Sequence, residues 1–595
     1  MDKKQNLKEK SNVLSSVSVE ESDKGLSRRG FLKGAATGTV VAGGVGLLGG
    51  IPKVIAKEKS AYEDEAEEVR NIPPVGQPAK WDAEADIVVV GTGGAGLSAV
   101  LKASQNGKSV IVVEKVAEQS VGGITKQAIV FITYGGSRYQ NEKKWAYLGY
   151  PLDPDKVLQD VWRDYQYTSD LKLTREMIVK EPECVDWLGD LGVPWELDPF
   201  TGPMCHIWKD IDKDGLIALG IKPVTDLMYR LAKEKGARFV FETSVVRLVS
   251  NGGRIVGVKA RDLSGKVSFI KGNKAVILAG GGFANNRPMQ KKYLPQVYKG
   301  AACTYAMPSD TGELIRMGFG AGADIAGIGS STSFDGGIDW LFGNKGLFYQ
   351  HLYNGSTQLS RQPWFGVDIN GNRYPYMDCY PTKYRAPWEL MTNQAAVTMS
   401  LADGRGYLVM DKNFEENIKR LHKASFGCRR PITPDMADIS RVPDWLIPKD
   451  WRKGVEYAIA KGAIRKSSSI EDLGKQLGFE PGILPAAVKK WNETCASGKD
   501  PEFFFPEEWL IPILEPPFYG IRIGSIIFAT KCGLKVNEKM QVIGTNHKVI
   551  PGLYACFHTA GGYLGENAIS GAQNSSCVAP SFASGYIAGD VASKG

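Results

Sequence analysis

Six consecutive residues, Gly91-Thr92-Gly93-Gly94-Ala95-Gly96, form a complete G-x-G-x-x-G run, and an acidic residue, Glu114, stands 23 positions after Gly91, followed by Lys115. Residue types at this spacing suit the capture of a dinucleotide. The first glycine permits a tight turn, the second lets backbone approach a pyrophosphate, and the third lets a helix lie close to a strand. Amides at the helix start face the phosphates, and the Glu114 carboxylate accepts hydrogen bonds from a ribose. An acid at that point favours the plain ribose of FAD or NAD over a 2′-phosphate.

The elements that must hold these residues are legible on either side. Ala85-Asp86-Ile87-Val88-Val89-Val90 is a β-branched run suited to a buried parallel strand. A helix pattern runs from Leu97 to Gln105, and Ser109 to Val113 reads as a second strand ending at Glu114. A glycine run alone is weak evidence; strand, loop, helix, strand and acid in that order specify a nucleotide-binding unit.

Three further stretches extend the pattern: Ser120-Val121-Gly122-Gly123-Ile124-Thr125, Ala275-Val276-Ile277-Leu278-Ala279-Gly280-Gly281-Gly282-Phe283, and Ile550-Pro551-Gly552-Leu553-Tyr554-Ala555 followed by Gly561-Gly562. In their order they resemble the fumarate reductase/succinate dehydrogenase flavoprotein superfamily, over nearly all of residues 84–592. The resemblance implies FAD as cofactor. It places Gly122, Gly123 and Thr125 beside the pyrophosphate and flavin, and Gly281 and Gly562 in the returning turns. It puts Asn574, Ser575 and Ser576 where a terminal helix approaches the flavin pyrimidine edge. A helix N-terminus there stabilises the negative charge of a reduced flavin. The implied fold is α/β, a discontinuous Rossmann-like FAD-binding domain (residues 82–300 and 516–595) with an inserted α+β substrate-capping domain (301–515). No histidine closely follows Gly122-Gly123, which speaks against the family's covalent His–FAD link.

For the reaction, the resemblance points to Arg361 as proton donor and His206 as a substrate-binding side chain. An arginine donates a proton only within a relay that restores it. Here the sequence also departs from the family. Gln362 replaces a glycine, and Tyr376-Met377-Asp378 replaces an N-E pair. The family's G-x-N-R-x-G-G-N, whose arginine clamps a substrate carboxylate, becomes Gly565-Glu566-Asn567-Ala568-Ile569-Ser570-Gly571. A dicarboxylate is therefore a poor fit, and a larger or less anionic, enone-like or aromatic substrate is expected. Trp340, Phe342, Tyr349, Trp364, Tyr374, Tyr376 and Trp388 either line its pocket or serve as ordinary core.

The expected activity is hydride transfer from flavin N5 to an activated C=C bond. A second nucleotide fingerprint is missing, so electrons are expected from a separate protein, such as a cytochrome c or a quinol-linked membrane partner. Two alternatives stay open: a dehydrogenase of the 3-ketosteroid type, with Tyr563 close to that branch's tyrosine, and a flavin electron carrier without substrate chemistry.

At the N-terminus, Ser27-Arg28-Arg29-Gly30-Phe31-Leu32-Lys33 precedes an uncharged stretch from Gly34 to Pro52. This resembles a bacterial twin-arginine export signal, expected over residues 1–57, with a linker over 58–81 and an extracytoplasmic destination. The net charge is +8, and residues 1–57 hold ten basic and five acidic residues, so only about +3 remains elsewhere. That balance argues against a nucleic-acid surface. Nine scattered cysteines contain no CxxC, which excludes a c-type haem and gives no metal signature. At 595 residues, more than one core is expected.

Overall fold

The computed structural model describes residues 66–128, 131–133, 136–142, 154–197, 205–211, 217–219, 221–338, 359, 364–375, 394–417, 451–570 and 577–595. All belong to the unit Ser60–Gly595.

The β-branched run becomes the first strand, Ala83–Val90, whose last four residues are all buried. It lies between Val110–Val113 and Val267–Leu278, parallel to both. Val549–Ala555 extends the sheet on one side and Arg238–Val240 on the other, again parallel. Gln541–Ile543 and the hairpin Thr243–Asn251/Arg254–Asp262 complete eight strands. Register brings the strand ends level: Val90 faces both Val113 and Leu278, and Leu278 faces Ala555. Ligands of open parallel sheets bind outside the carboxyl ends of the strands. Four ends on one line make the floor of such a site.

Two helices cover this sheet. The loop helix, Gly94–Gln105, and the terminal helix, Val578–Lys594, meet along small residues. A Cβ added at Gly585 or Gly589, one turn apart, would collide with the carbonyl oxygens of Ala95 and Ala99. Ser98 Oγ donates to the Phe582 carbonyl at 2.7 Å and fixes the pair lengthwise.

A second sheet of seven strands runs Phe365–Val367, Arg405–Met410, Phe518–Thr530, Ser331–Ile338 and Ile569–Ser570, with Ala301–Thr304 and Ile464–Ser467 also on the long central strand. That strand, Phe518–Thr530, lies past the boundary expected at 515, because its hydrogen bonds go to the inserted sheet. The sheet has its own core, including Trp364, Tyr374, Tyr407, Trp491 and Trp509. Two of the aromatic residues considered for a substrate pocket are thus core: Trp364 Nε1 donates to the Leu359 carbonyl at 2.8 Å, and the Tyr374 ring lies against Gly366.

The expected linker is corrected over its described part. Residues 66–75 are docked on the body. Ile72 N donates to the Arg316 carbonyl and Val75 N to the Leu248 carbonyl, both at 2.9 Å. Arg316 in turn donates to the carbonyls of Glu67 and Arg70. Val69 and Ile72 pack on the main core, which acidic and proline content concealed.

The inserted domain is stapled by a buried ion pair. Arg373 donates to both oxygens of Asp500, at 2.8 and 2.9 Å, with side chains 6% and 0% exposed. Its guanidinium also lies over the Trp491 ring, 4.6 Å from the centroid. Burial alone would raise the Asp500 carboxyl, but the Arg373 hydrogen bonds prevail and hold it at about 2. The depressed value means stability is present above the ordinary carboxylate range and lost as pH falls from about 4 towards 2. Arg373→Met leaves the buried Asp500 carboxylate without its cation, and Asp500→Asn leaves Arg373 with only Glu502, 3.5 Å away. Either should cost about 3–5 kcal/mol in urea unfolding monitored by tryptophan fluorescence, and the Asp500→Asn loss should shrink below pH 3.

Candidate functional site

The glycine loop sits at the carboxyl end of the first strand. Gly91 has φ of 109°, and a Cβ there would meet the Ala279 carbonyl; a Cβ on Gly96 would meet the Gly91 carbonyl. These two glycines are required by the fold itself. Gly93 differs: an added Cβ finds no atom within 4 Å. It precedes the loop helix, whose opening residues Gly94, Ala95 and Gly96 are buried. Open space before the amides of a helix start, on the floor of four strand ends, is what a pyrophosphate requires.

The second glycine loop closes the side of this space. Gly122 N donates to the Thr92 carbonyl at 2.9 Å, Thr125 Oγ1 accepts from Gly94 N at 3.2 Å, and a Cβ on Gly123 would lie 3.5 Å from Gly93 Cα. Thus Gly91, Gly93, Gly94, Ala95, Gly96, Gly122, Gly123 and Thr125 form one cradle. Glu114 joins it with a role that spacing alone did not show. Its Oε2 accepts from Thr92 N and Oγ1, both at 2.8 Å, and its Oε1 accepts from Val116 N at 3.1 Å. A carboxylate has about four acceptor positions, so the brace leaves one for a ribose hydroxyl. Lys115 turns to Thr311 and Glu313, each at 3.1 Å.

On the far side of the first strand, Gly281 follows Leu278 with φ of 82°, its carbonyl accepting from Thr559 Oγ1 at 2.9 Å. Asp310 sits beneath this turn, 2.7 Å from where a Gly281 Cβ would stand. Burial pushes its carboxyl up to about 6, against the opposing pull of the Ala284 amide and Lys115. Thr530 Oγ1 accepts from Phe283 N at 3.1 Å, and Lys531 follows it, buried. Asp310, Thr530 and Lys531 carry no local sequence signal; strand register alone assembles them. Gly562 has φ of 89° and lies in the loop leading to Glu566.

Glu566 Oε1 accepts from Gly327 N at 2.8 Å, and Ala568 N donates to Ser330 Oγ at 2.9 Å. Tyr563 is 2% exposed, with its hydroxyl 3.2 Å from Glu181 Oε1. His206 lies on the strand Cys205–Ile211, paired with Phe131 and Leu197. Arg361, Asn574, Ser575 and Ser576 lie outside the described residues.

Comparison with known proteins agrees with this geometry. The family described as FAD binding domain matches residues 86–573. The NADH:fumarate oxidoreductase of Klebsiella pneumoniae is 25% identical over 510 residues, covering 86% of this chain and 48% of that protein, so the chain spans about half its length. The vinyl phenol reductase of Lactiplantibacillus plantarum is 26% identical over 498 residues, covering 82% of this chain and 92% of the relative. In fold, the 3-ketosteroid-Δ4-(5α)-dehydrogenase of Rhodococcus jostii superposes with a TM-score of 0.61 at 22% identity, over 88% of this chain and all of that one.

The cradle yields a direct contrast between two glycines. Gly93→Val should give a folded protein with unchanged circular dichroism that has lost its flavin absorbance, since the added methyls fill the pyrophosphate space. Gly96→Val should lower the melting temperature as well, because its side chain meets backbone. Cradle, strand edge and family match converge: the chain belongs to the FAD binding domain family of the fumarate reductase/succinate dehydrogenase flavoprotein superfamily.

Proposed function

We propose that this flavoprotein reduces a C=C bond conjugated to a carbonyl or aromatic group in a substrate that is not a dicarboxylate. The observation that carries the reading is the pinned stretch Glu566–Ala568. Where the related dicarboxylate reductases place a clamping arginine, this chain holds a methyl group. The neighbouring Glu566 carboxylate is fixed on the Gly327 amide. A second anion brought there would meet repulsion instead of a bidentate partner. The similarity to a vinyl phenol reductase over most of both chains supports a neutral, conjugated substrate.

When bound, FAD supplies the hydride at N5. The chain's own residues do the rest. The glycine cradle orients the cofactor, Arg361 delivers a proton to the α-carbon through a relay, and His206 polarises the carbonyl. The reverse, dehydrogenating direction needs a base such as a tyrosinate, and Tyr563, buried with its hydroxyl 3.2 Å from Glu181 Oε1, is the tyrosine that reading would test. Electrons are supplied by a separate cytochrome c or quinol-linked protein, and the Ser27–Lys33 motif supports action outside the cytoplasm after twin-arginine export.

Anaerobic oxidation of reduced methyl viologen tests the proposal. Turnover is expected with 4-vinylphenol or a simple enone and little with fumarate; fumarate as the best substrate overturns the reading. Arg361→Ala should retain flavin and lose about 10²–10⁴-fold in rate, the usual contribution of a positioned proton donor.

A further inference from the structure

Lys531 is a lysine side chain with 4% exposure, an uncommon state for an ammonium group. Its position follows from the backbone around it. Lys531 N donates to the Ser330 carbonyl at 2.9 Å, and a Cβ on Gly327 would run into the Lys531 carbonyl. The preceding Thr530 is tied to the Phe283 amide in the turn after Leu278. Lys531 is also within electrostatic reach of the Cys577 thiol, which immediately precedes the terminal helix and lies 3.0 Å from Thr332 Oγ1. It therefore stands at the seam between the nucleotide sheet, the inserted sheet and the terminal helix.

The same elements fix which half of the cofactor arrives there. Glu114, the ribose side, lies beyond Val113, on one flank of the first strand. With the pyrophosphate at Gly93, the flavin half must extend to the opposite flank, over Leu278, Gly281 and Thr530. The terminal helix gives the distance. Phe582 lies 2.9 Å from where a Gly94 Cβ would stand. Cys577 precedes it by five residues, roughly 7–8 Å along the helix axis. The Lys531–Cys577 corner is thus displaced from the phosphate loop on the flavin side.

We propose that Lys531 is the counter-charge of the reduced flavin, taking up a proton from solvent as the flavin takes up two electrons. In atoms and charge, the flavin gains two electrons and one proton, forming the N5–H bond and leaving a negative charge at N1–C2=O. The neutral Lys531 amine takes the other proton from solvent, forms its third N–H bond and becomes the ammonium opposite it. Burial is what makes the amine responsive, since it pushes the group down to about 7. A nearby anion then raises it again. Among the described residues, the titratable group that acts on it is the Cys577 thiol, and the nearest others along the same turns are Cys532, Glu566 on Gly327, and Asp310 beneath Gly281. Burial pushes the Cys532 thiol up and the Asp310 carboxyl to about 6, so Asp310 titrates below the window that matters.

The inference rests on the bound FAD and not on any substrate, so it stands or falls separately from the reduction reading. The test is a redox titration of the full-length holoprotein with dithionite and mediator dyes between about pH 7 and pH 9. For a two-electron couple, one proton gives a slope of about 30 mV per pH unit, and two protons give about 60 mV. The wild type is expected to show the steeper slope above pH 7. Lys531→Met is expected to show the shallower one, with at least tenfold weaker sulfite binding at pH 7, because the sulfite adduct places the same charge on the flavin. Lys531→Arg should show the shallow slope with a higher potential than Lys531→Met at pH 9. A wild-type slope near 30 mV throughout overturns the proposal, and this result needs no variant to fold. A Lys531→Met protein with the steep slope and unchanged sulfite affinity also overturns it.

Discussion

The structure depends on the close approach of two helices that lie nearly 500 residues apart in sequence. Gly585 and Gly589 let the terminal helix rest on the carbonyls of Ala95 and Ala99. Any side chain at those positions would push the helices apart, and the ring of Phe582 would leave Gly94. Close packing of this kind has no slack, because interiors are as dense as molecular crystals. It brings two helix N-termini, each the positive end of a helix dipole, to one crevice. A diphosphate and a reduced isoalloxazine both carry negative charge, and both need such surroundings.

Around the crevice, charge is either braced or withheld. Glu114 is braced in service of the loop, holding Thr92 and Val116, and Lys115 is paired with Glu313. Asp310 and Lys531 show the opposite arrangement. Burial drives the carboxyl up to about 6 and the amine down to about 7. Two groups of opposite type are thus brought near neutrality by the same cause, removal from water. Sites that handle protons and electrons near pH 7 profit from such tuning.

What could be read from the sequence was local. The first strand, the glycine loop, the helix and Glu114 lie within about thirty residues, and each position's task follows from its neighbours. The α/β class and the inserted domain were implied by the family resemblance that the further motifs carry. What stayed hidden depends on partners far away in the chain. Thr92 as the companion of Glu114, Glu313 as that of Lys115, and the meeting of Thr530 with Phe283 each require a register that no window of sequence contains. The docked segment 66–75 was hidden for another reason. Its prolines and acids suggest a tether, yet a few apolar side chains and the carbonyl contacts of Arg316 hold it down. The pairing of Phe518–Thr530 with strands from residues 301–467 was hidden because continuity of chain says nothing about which neighbour a strand will pair with.

That strand also limits how the molecule can open. It is the axis of the inserted sheet, with four of the other strands hydrogen-bonded along it directly, and its final hydroxyl grips the turn at Phe283. The inserted sheet cannot shift as a rigid plate without stretching that bond, so one hydroxyl ties its axis to the turn that follows Leu278. Strand pairing and the shape of the glycine turn are thus set together at a single point.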